Sequence, residues 1–191
     1  EGATEYPQLL LTNSHDGGNA FTLSAGIFRL VCSNGLVIKT EDYGSARLVH
    51  KGYSFEAVQK LVKEFEVTVD DVLTKVTAMK KVELTKEQQI EFAKKAALLR
   101  FTAKSYNEDN IADVVQIDDL LNAERPEDKG NGLYEVYNRV QESLVKGKYL
   151  YASSGKVNAE GTKVRKGREI KNFKQSIDVN KKLSELAFEL V

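Results

Sequence analysis

The period of the apolar residues changes once along this chain, and that change limits the fold more than any other feature. Up to about residue 40 the apolar positions follow a strand-like repeat broken by turn formers. Residues 6–12 are apolar and lead into Asn13-Ser14-His15-Asp16-Gly17-Gly18-Asn19, residues that reach left-handed backbone or hydrogen-bond their own main chain. Phe21, Leu23 and Ala25 then alternate with Thr22 and Ser24. The apolar stretch 27–32 runs to Ser33-Asn34-Gly35, a tight-turn signal, before Leu36, Val37 and Ile38. A small sheet of hairpins is expected, with a short buried helix over 26–32 as the alternative.

From Ser54 the repeat becomes helical. Ser54 can cap a helix that places Phe55, Val58, Leu61, Val62 and Phe65 on one face. A second N-terminus at 68–71 precedes Val69, Val72, Leu73, Val76 and Met79. Thr85-Lys86-Glu87-Gln88 is a capping box, in which hydroxyl and amide satisfy each other's orphan main-chain donors, and Ile90, Phe92, Ala93, Ala96, Ala97 and Leu99 follow. A shorter helical stretch is expected over 114–121, then punctuation by Pro126 and Gly130, then a strong stripe of Leu133, Val136, Tyr137, Val140 and Leu144. Residues 149–167 carry no periodic apolar face and read as an exposed loop or mobile hairpin. A last helix from about Phe173 presents Ile177, Leu183, Leu186 and Leu190.

The expected fold class is therefore α+β, a small N-terminal antiparallel hairpin sheet packed against a mainly helical C-terminal part. One domain is expected over 1–191, β-rich over 1–50 and helical over 51–191. With 41% hydrophobic residues in 191 the chain can bury a core without disulfides or a structural metal. A single cysteine, Cys32, forms no internal bridge, and its apolar neighbours mark a buried inert thiol. With no secretory segment or long apolar span, the reading is a cytoplasmic protein without a membrane partner.

Net charge is +0, so no global push toward polyanions exists, but the charges are segregated. Residues 108–128 carry Glu108, Asp109, Asp113, Asp118, Asp119, Glu124, Glu127 and Asp128 against Arg125 alone. Lys146, Lys148, Lys156, Lys163, Arg165, Lys166, Arg168, Lys171 and Lys174 follow, against Glu160 and Glu169. That basic tract is dense enough to neutralise several phosphates, with Tyr149, Tyr151 and Phe173 near for stacking on a nucleic acid, a single strand being one form. Docking on the acidic segment, of the same chain or of another copy in a homo-oligomer, is the competing reading, and both stay open.

Other chemistry has thinner support. His15 beside Asp16 in a Gly-rich loop, with His50, is how a metal-dependent hydrolase or nuclease site could begin, but a site needs further converging ligands. The plainer reading is a loop in which Asn13 and Asp16 bond main-chain amides and His50 is a partly buried ring. No phosphate-cradling glycine pattern occurs, and Ser154-Gly155-Lys156 lacks the leading glycine, so no small-molecule cofactor is expected. Asp70-Asp71 and Asp118-Asp119 read as solvated faces.

Three stretches together, Asn13-Ser-His-Asp-Gly17, Gly26-Ile-Phe-Arg-Leu-Val-Cys-Ser-Asn-Gly35 and Leu133-Tyr-Glu-Val-Tyr-Asn-Arg-Val-Gln-Glu142, resemble the phage/plasmid-like domain of unknown function 932 family. Arg47-Leu-Val-His-Lys-Gly52 is similar to the His-x-Gly step that follows there. Relatives carry an additional N-terminal region, so the start at Glu1 leads to the expectation that part of the domain precedes this sequence. The resemblance implies a phage, plasmid or other mobile-element setting beside DNA-processing genes, and it carries over no catalytic residue. The expected function is a non-enzymatic accessory protein that binds nucleic acid through Lys156, Lys163, Arg165, Lys166, Arg168, Lys171 and Lys174. The alternatives are the His15/Asp16/His50 enzyme and a self-associating structural protein.

Overall fold

A computed structural model describes residues 5–12, 21–29, 32–37, 47–48, 56, 59–60, 63, 71 and 73–191, the strand residues before 50 and Phe173 through their backbone. The chain divides into two compact units, Glu1–Thr77 and Ala78–Val191. The fold class is α+β: an antiparallel sheet lies in the first unit and most of the helix in the second.

In the first unit β2 (Phe21–Arg29) is the central strand. It pairs antiparallel with β1 (Glu5–Thr12) from Arg29↔Glu5 to Thr22↔Thr12, which sets Leu9 opposite Ala25 and Leu11 opposite Leu23. Its other edge is shared by β3 (Cys32–Val37), through Ile27↔Leu36, and β4 (Arg47–Leu48), through Phe21↔Leu48. Residues 26–29 are strand, as the hairpin reading expects and against the helix alternative. One expectation is corrected here: the turn formers Ser33, Asn34 and Gly35 lie inside β3, because Arg29 already pairs with Cys32. Local turn propensity yields to a register in which Leu36 faces Ile27. The helix expected after Ser54 is helical at residues 56, 59, 60 and 63, while Ser54 and its apolar face lie outside the described residues. Of the next stripe, Val76 and Met79 are buried but Leu73 is exposed.

The second unit contains α1 (Lys86–Leu98), α2 (Ile111–Val114), α3 (Ile117–Leu121), a 3-10 turn (Pro126–Asp128), α4 (Leu133–Lys146), β5 (Leu150–Ala152), β6 (Val164–Lys166) and α5 (Phe173–Phe188). The capping box starts α1: Gln88 N–H donates to the Thr85 hydroxyl at 3.3 Å and Thr85 N–H to the Gln88 amide oxygen at 2.8 Å. The helix expected over 114–121 is two short ones, broken where Val115 turns extended and bridges Tyr151. Helices α1, α4 and α5 contact one another pairwise. Phe92, Ala93, Ala96 and Ala97 of α1, Leu133, Tyr137, Val140 and Leu144 of α4, and Leu183 and Ala187 of α5 fill the space between them. Each large apolar side chain buried there contributes roughly 1.5–3 kcal/mol.

Helix α4 is central, for Asn138, Arg139, Gln141 and Ser143, off the apolar stripe, are buried as well. Gln141 meets this with a 2.6 Å bond from its amide nitrogen to Asn180 Oδ1 of α5. Leu190, expected on the last apolar face, lies past the end of α5 and is exposed. Among the described residues no helix is long and apolar enough to cross a membrane.

Candidate nucleic-acid interface

The stretch 149–167 is an antiparallel hairpin, Leu150↔Lys166 to Ala152↔Val164. It is less exposed than expected, since Tyr149, Ala152 and Val157 are buried. β5 is held from below by the Val115↔Tyr151 bridge, by a 2.9 Å bond from Gln116 N–H to Leu150 O, and by Asp119 Oδ2, which accepts from Leu150 N–H at 2.8 Å. Asp119 thus has a structural task, and the reading of Asp118-Asp119 as a wholly solvated pair is corrected.

Beyond β6 the main chain is pinned to the C-terminal end of α4. Gly167 N–H donates to Tyr149 O at 2.7 Å and Ile170 N–H to Val145 O at 2.8 Å. Arg100, just after α1, donates from one guanidinium nitrogen to Leu144 O at 2.5 Å and from the other to Arg168 O at 2.9 Å. Gly147 caps α4 in the left-handed region at φ 68°, and a Cβ there would lie 2.6 Å from the carbonyl carbons of Gly167 and Arg168. The approach is close because neither glycine has a side chain. Residues 167–170 therefore have fixed backbone and a buried Ile170, while Arg168 points to solvent.

The basic side chains separate into two groups. Lys146 pairs with Glu169 at 2.9 Å, Lys148 with Glu124 at 2.5 Å and Glu142 at 2.7 Å, and Lys156 with Asp113 at 3.1 Å. Lys148 and Lys156 thus meet the acidic segment of their own chain, the competing arrangement in part. Lys163, Arg165, Lys166, Arg168, Lys171 and Lys174 are exposed, and among the described residues none has a carboxylate within ion-pair distance. Glu169 sits among them, its carboxyl held below the usual range by the hydrogen bond from Lys146, by that lysine's charge and more weakly by Lys171. Lys171 and Lys174 flank the start of α5, whose cap is Asn172 and whose first turn has no acidic residue, leaving the positive end of the helix dipole uncompensated by a carboxylate of its own.

The aromatic rings expected to stack are placed differently. Phe101 contacts Tyr106, Tyr149 and Tyr151 edge-on at centroid distances of 6.3, 6.0 and 5.5 Å. Arg100 lies over the Tyr149 ring at 5.9 Å, and burial pushes the Tyr149 phenol above its ordinary pKa. Tyr149 is thus part of the core, Tyr151 is half-buried, and the Phe173 side chain lies outside the described residues. His15, Asp16 and His50 also lie outside them, and among the described residues no group of His, Cys, Asp and Glu is arranged to hold a metal.

A polar cluster the sequence did not reveal surrounds Arg139. Its guanidinium donates to Asp128 O at 2.9 Å, Gly130 O at 2.8 Å and Gln89 Oε1 at 2.6 Å, and the Gln89 amide nitrogen donates onward to Leu84 O and Asn131 Oδ1. Arg125 pairs with Glu142 and, at 3.4 Å, with the buried Asp128. Burial lowers the Arg139 pKa, and its Nε has no hydrogen-bond partner among the described residues. The only local hint was an arginine next to the apolar stripe of α4.

Comparison with known proteins places this chain. A family model described as Domain of unknown function (DUF932) matches residues 1–183. The UPF0380 protein YafZ of Escherichia coli (strain K12) is 36% identical over 143 residues, which is 75% of this chain and 50% of that protein. The UPF0380 protein YfjQ of the same strain is 32% identical over 187 residues, 98% of this chain and 63% of that protein. The chain therefore spans less than two thirds of the length of either curated relative. No solved structure matches it.

Proposed function

The chain belongs to the domain of unknown function 932 family, and on that premise we propose that it is a non-enzymatic accessory protein of a phage, plasmid or other mobile element that binds nucleic acid through its basic C-terminal segment. The observation that carries this reading is the pairing of a fixed main chain with unpaired cations. Hydrogen bonds from Gly167 and Ile170 to the Tyr149 and Val145 carbonyls, and the Arg100 guanidinium bridging the Leu144 and Arg168 carbonyls, hold residues 167–170, yet Lys163, Arg165, Lys166 and Arg168 have no carboxylate partner among the described residues. Holding the backbone in place lowers the entropy lost when cations meet phosphates. Lys156, already beside Asp113, plays a lesser part, although an ion pair that exposed is weak and can open. The mobile-element setting rests on the family resemblance, and the cytoplasm of the bacterium or phage host is the compartment where the ligand is met.

The test is binding of the purified chain to labelled DNA and RNA at low salt, repeated with Lys163→Ala, Arg165→Ala, Lys166→Ala and Arg168→Ala combined. These exposed positions should leave stability within about 0.5 kcal/mol each. Affinity should fall on the order of 100-fold at moderate salt as the phosphate contacts are lost. No detectable binding by the parent chain, or unchanged binding by the variant, refutes the proposal.

A further inference from the structure

We infer that this face grips the phosphates of a nucleic-acid duplex by charge and main-chain donors, without stacking on bases, an inference that rests on the nucleic-acid reading above. Proteins that prefer single strands combine a basic groove with exposed aromatic platforms, each contributing about 1–3 kcal/mol per base. Here the rings near the basic segment whose side chains are among the described residues are turned on one another: Phe101 is edge-on to Tyr106, Tyr149 and Tyr151, and Arg100 lies over Tyr149. Among the described residues of the second unit no aromatic side chain is exposed. To stack on a base, Tyr149 would have to leave the core.

Donors, by contrast, line the outer edge of the hairpin. Because Gly167 N–H bonds Tyr149 O, those two residues form a hydrogen-bonded pair, so the alternation of an antiparallel ladder makes Leu150↔Lys166 and Ala152↔Val164 the non-bonded pairs. The amides of Val164 and Lys166 therefore face away from β5, and β6 pairs with no other described strand. Lys163, Arg165 and Lys166, all exposed, adjoin those amides in sequence, and Arg168, Lys171, Lys174 and the start of α5 extend the same polarity along the chain. Main-chain N–H groups and cations of this kind bind phosphate oxygens and carry no base information. Duplex DNA presents one charge per about 1.7 Å of axis, twice the density of a single strand, so a face that works by charge alone favours the duplex.

The whole chain would be titrated by fluorescence anisotropy against a labelled 20-base-pair duplex and each of its separated strands across a salt series, with Tyr151→Leu and the combined Lys163→Ala, Lys166→Ala variant alongside. The expected result is tighter binding of the duplex than of either strand, with affinity falling by a log–log slope of about −0.9 per phosphate contact. Removing the two lysines should reduce that slope by about 2, whereas Tyr151→Leu should change affinity by less than about twofold. Two unrelated duplex sequences should bind within about threefold of each other. Tighter binding of a single strand, or a loss on Tyr151→Leu of about 10-fold or more, overturns the duplex inference while leaving nucleic-acid binding intact. Absence of binding to duplex and strands alike removes both.

Discussion

At the residue scale, Arg139 shows how a buried cation is tolerated and what removing it would do. Its guanidinium serves Asp128 O, Gly130 O and Gln89 Oε1 at once, joining the 3-10 turn, the entry to α4 and the first turn of α1. Arg139→Met would bury a matching volume but take one donor from each of two carbonyls and from the Gln89 amide oxygen, and leave Asp128 with less positive charge nearby. Unsatisfied buried acceptors cost roughly 1–3 kcal/mol each, less whatever water can enter, so a loss of about 3 kcal/mol is expected. Arg139→Lys should recover little, since an ammonium cannot reproduce a planar fork. Urea denaturation of both variants checks this, and an unfolding free energy for Arg139→Met within about 0.5 kcal/mol of the parent would show the network to be dispensable. Arg139 lay within a stretch that carried the family resemblance, but its three acceptors are distant in sequence or on loops, which is why its role was invisible before the fold.

At the element scale, legibility followed how local the determining interactions are. Helix α1 was readable because Thr85 and Gln88 cap it from three residues apart, and α4 because Leu133, Val136, Tyr137, Val140 and Leu144 repeat at helical spacing. The β5–β6 hairpin was only half readable: Val164, Arg165 and Lys166 are all exposed and show no alternation, and what holds them is the approach of Gly147 to Gly167. The charges of the candidate face were legible one by one, but not which are neutralised, for Lys156 and Asp113 meet only through the fold. Gly147→Ala tests the element directly. A left-handed alanine costs about 1 kcal/mol, and its Cβ would press on the backbone of residues 167 and 168 at 2.6 Å. The expected outcome is a stability loss of about 2 kcal/mol or more, together with duplex binding weakened several-fold as the basic segment loses its anchor. Thr85→Ala, a cap loss of about 1 kcal/mol, serves as the control that should leave binding unchanged. Equal binding by both variants would show that the pinned backbone does not matter.

At the scale of the whole molecule, the second unit holds the structural elements of the proposed function, and its internal ties suggest a body able to fold alone. Leu84 N–H donates to Asn131 O at 2.9 Å and Leu133 N–H to Val82 O at 2.8 Å, so the chain entering α1 is stitched to the chain entering α4. The pairwise contacts of α1, α4 and α5 then enclose Phe92, Tyr137, Leu144 and Leu183. A chain of about a hundred residues buries roughly 60–70% of its unfolded surface, sufficient for cooperative folding without disulfides. A fragment of residues 78–191 should therefore unfold in one urea transition with a slope of about 1–2 kcal/mol per molar. Because Lys163, Arg165, Lys166, Arg168, Lys171 and Lys174 all lie within it, the fragment should bind a DNA duplex within about threefold of the affinity of the whole chain. A fragment that folds yet binds 10-fold more weakly would assign part of the grip to residues 1–77. A fragment without a cooperative transition would show that the C-terminal core depends on residues before 78.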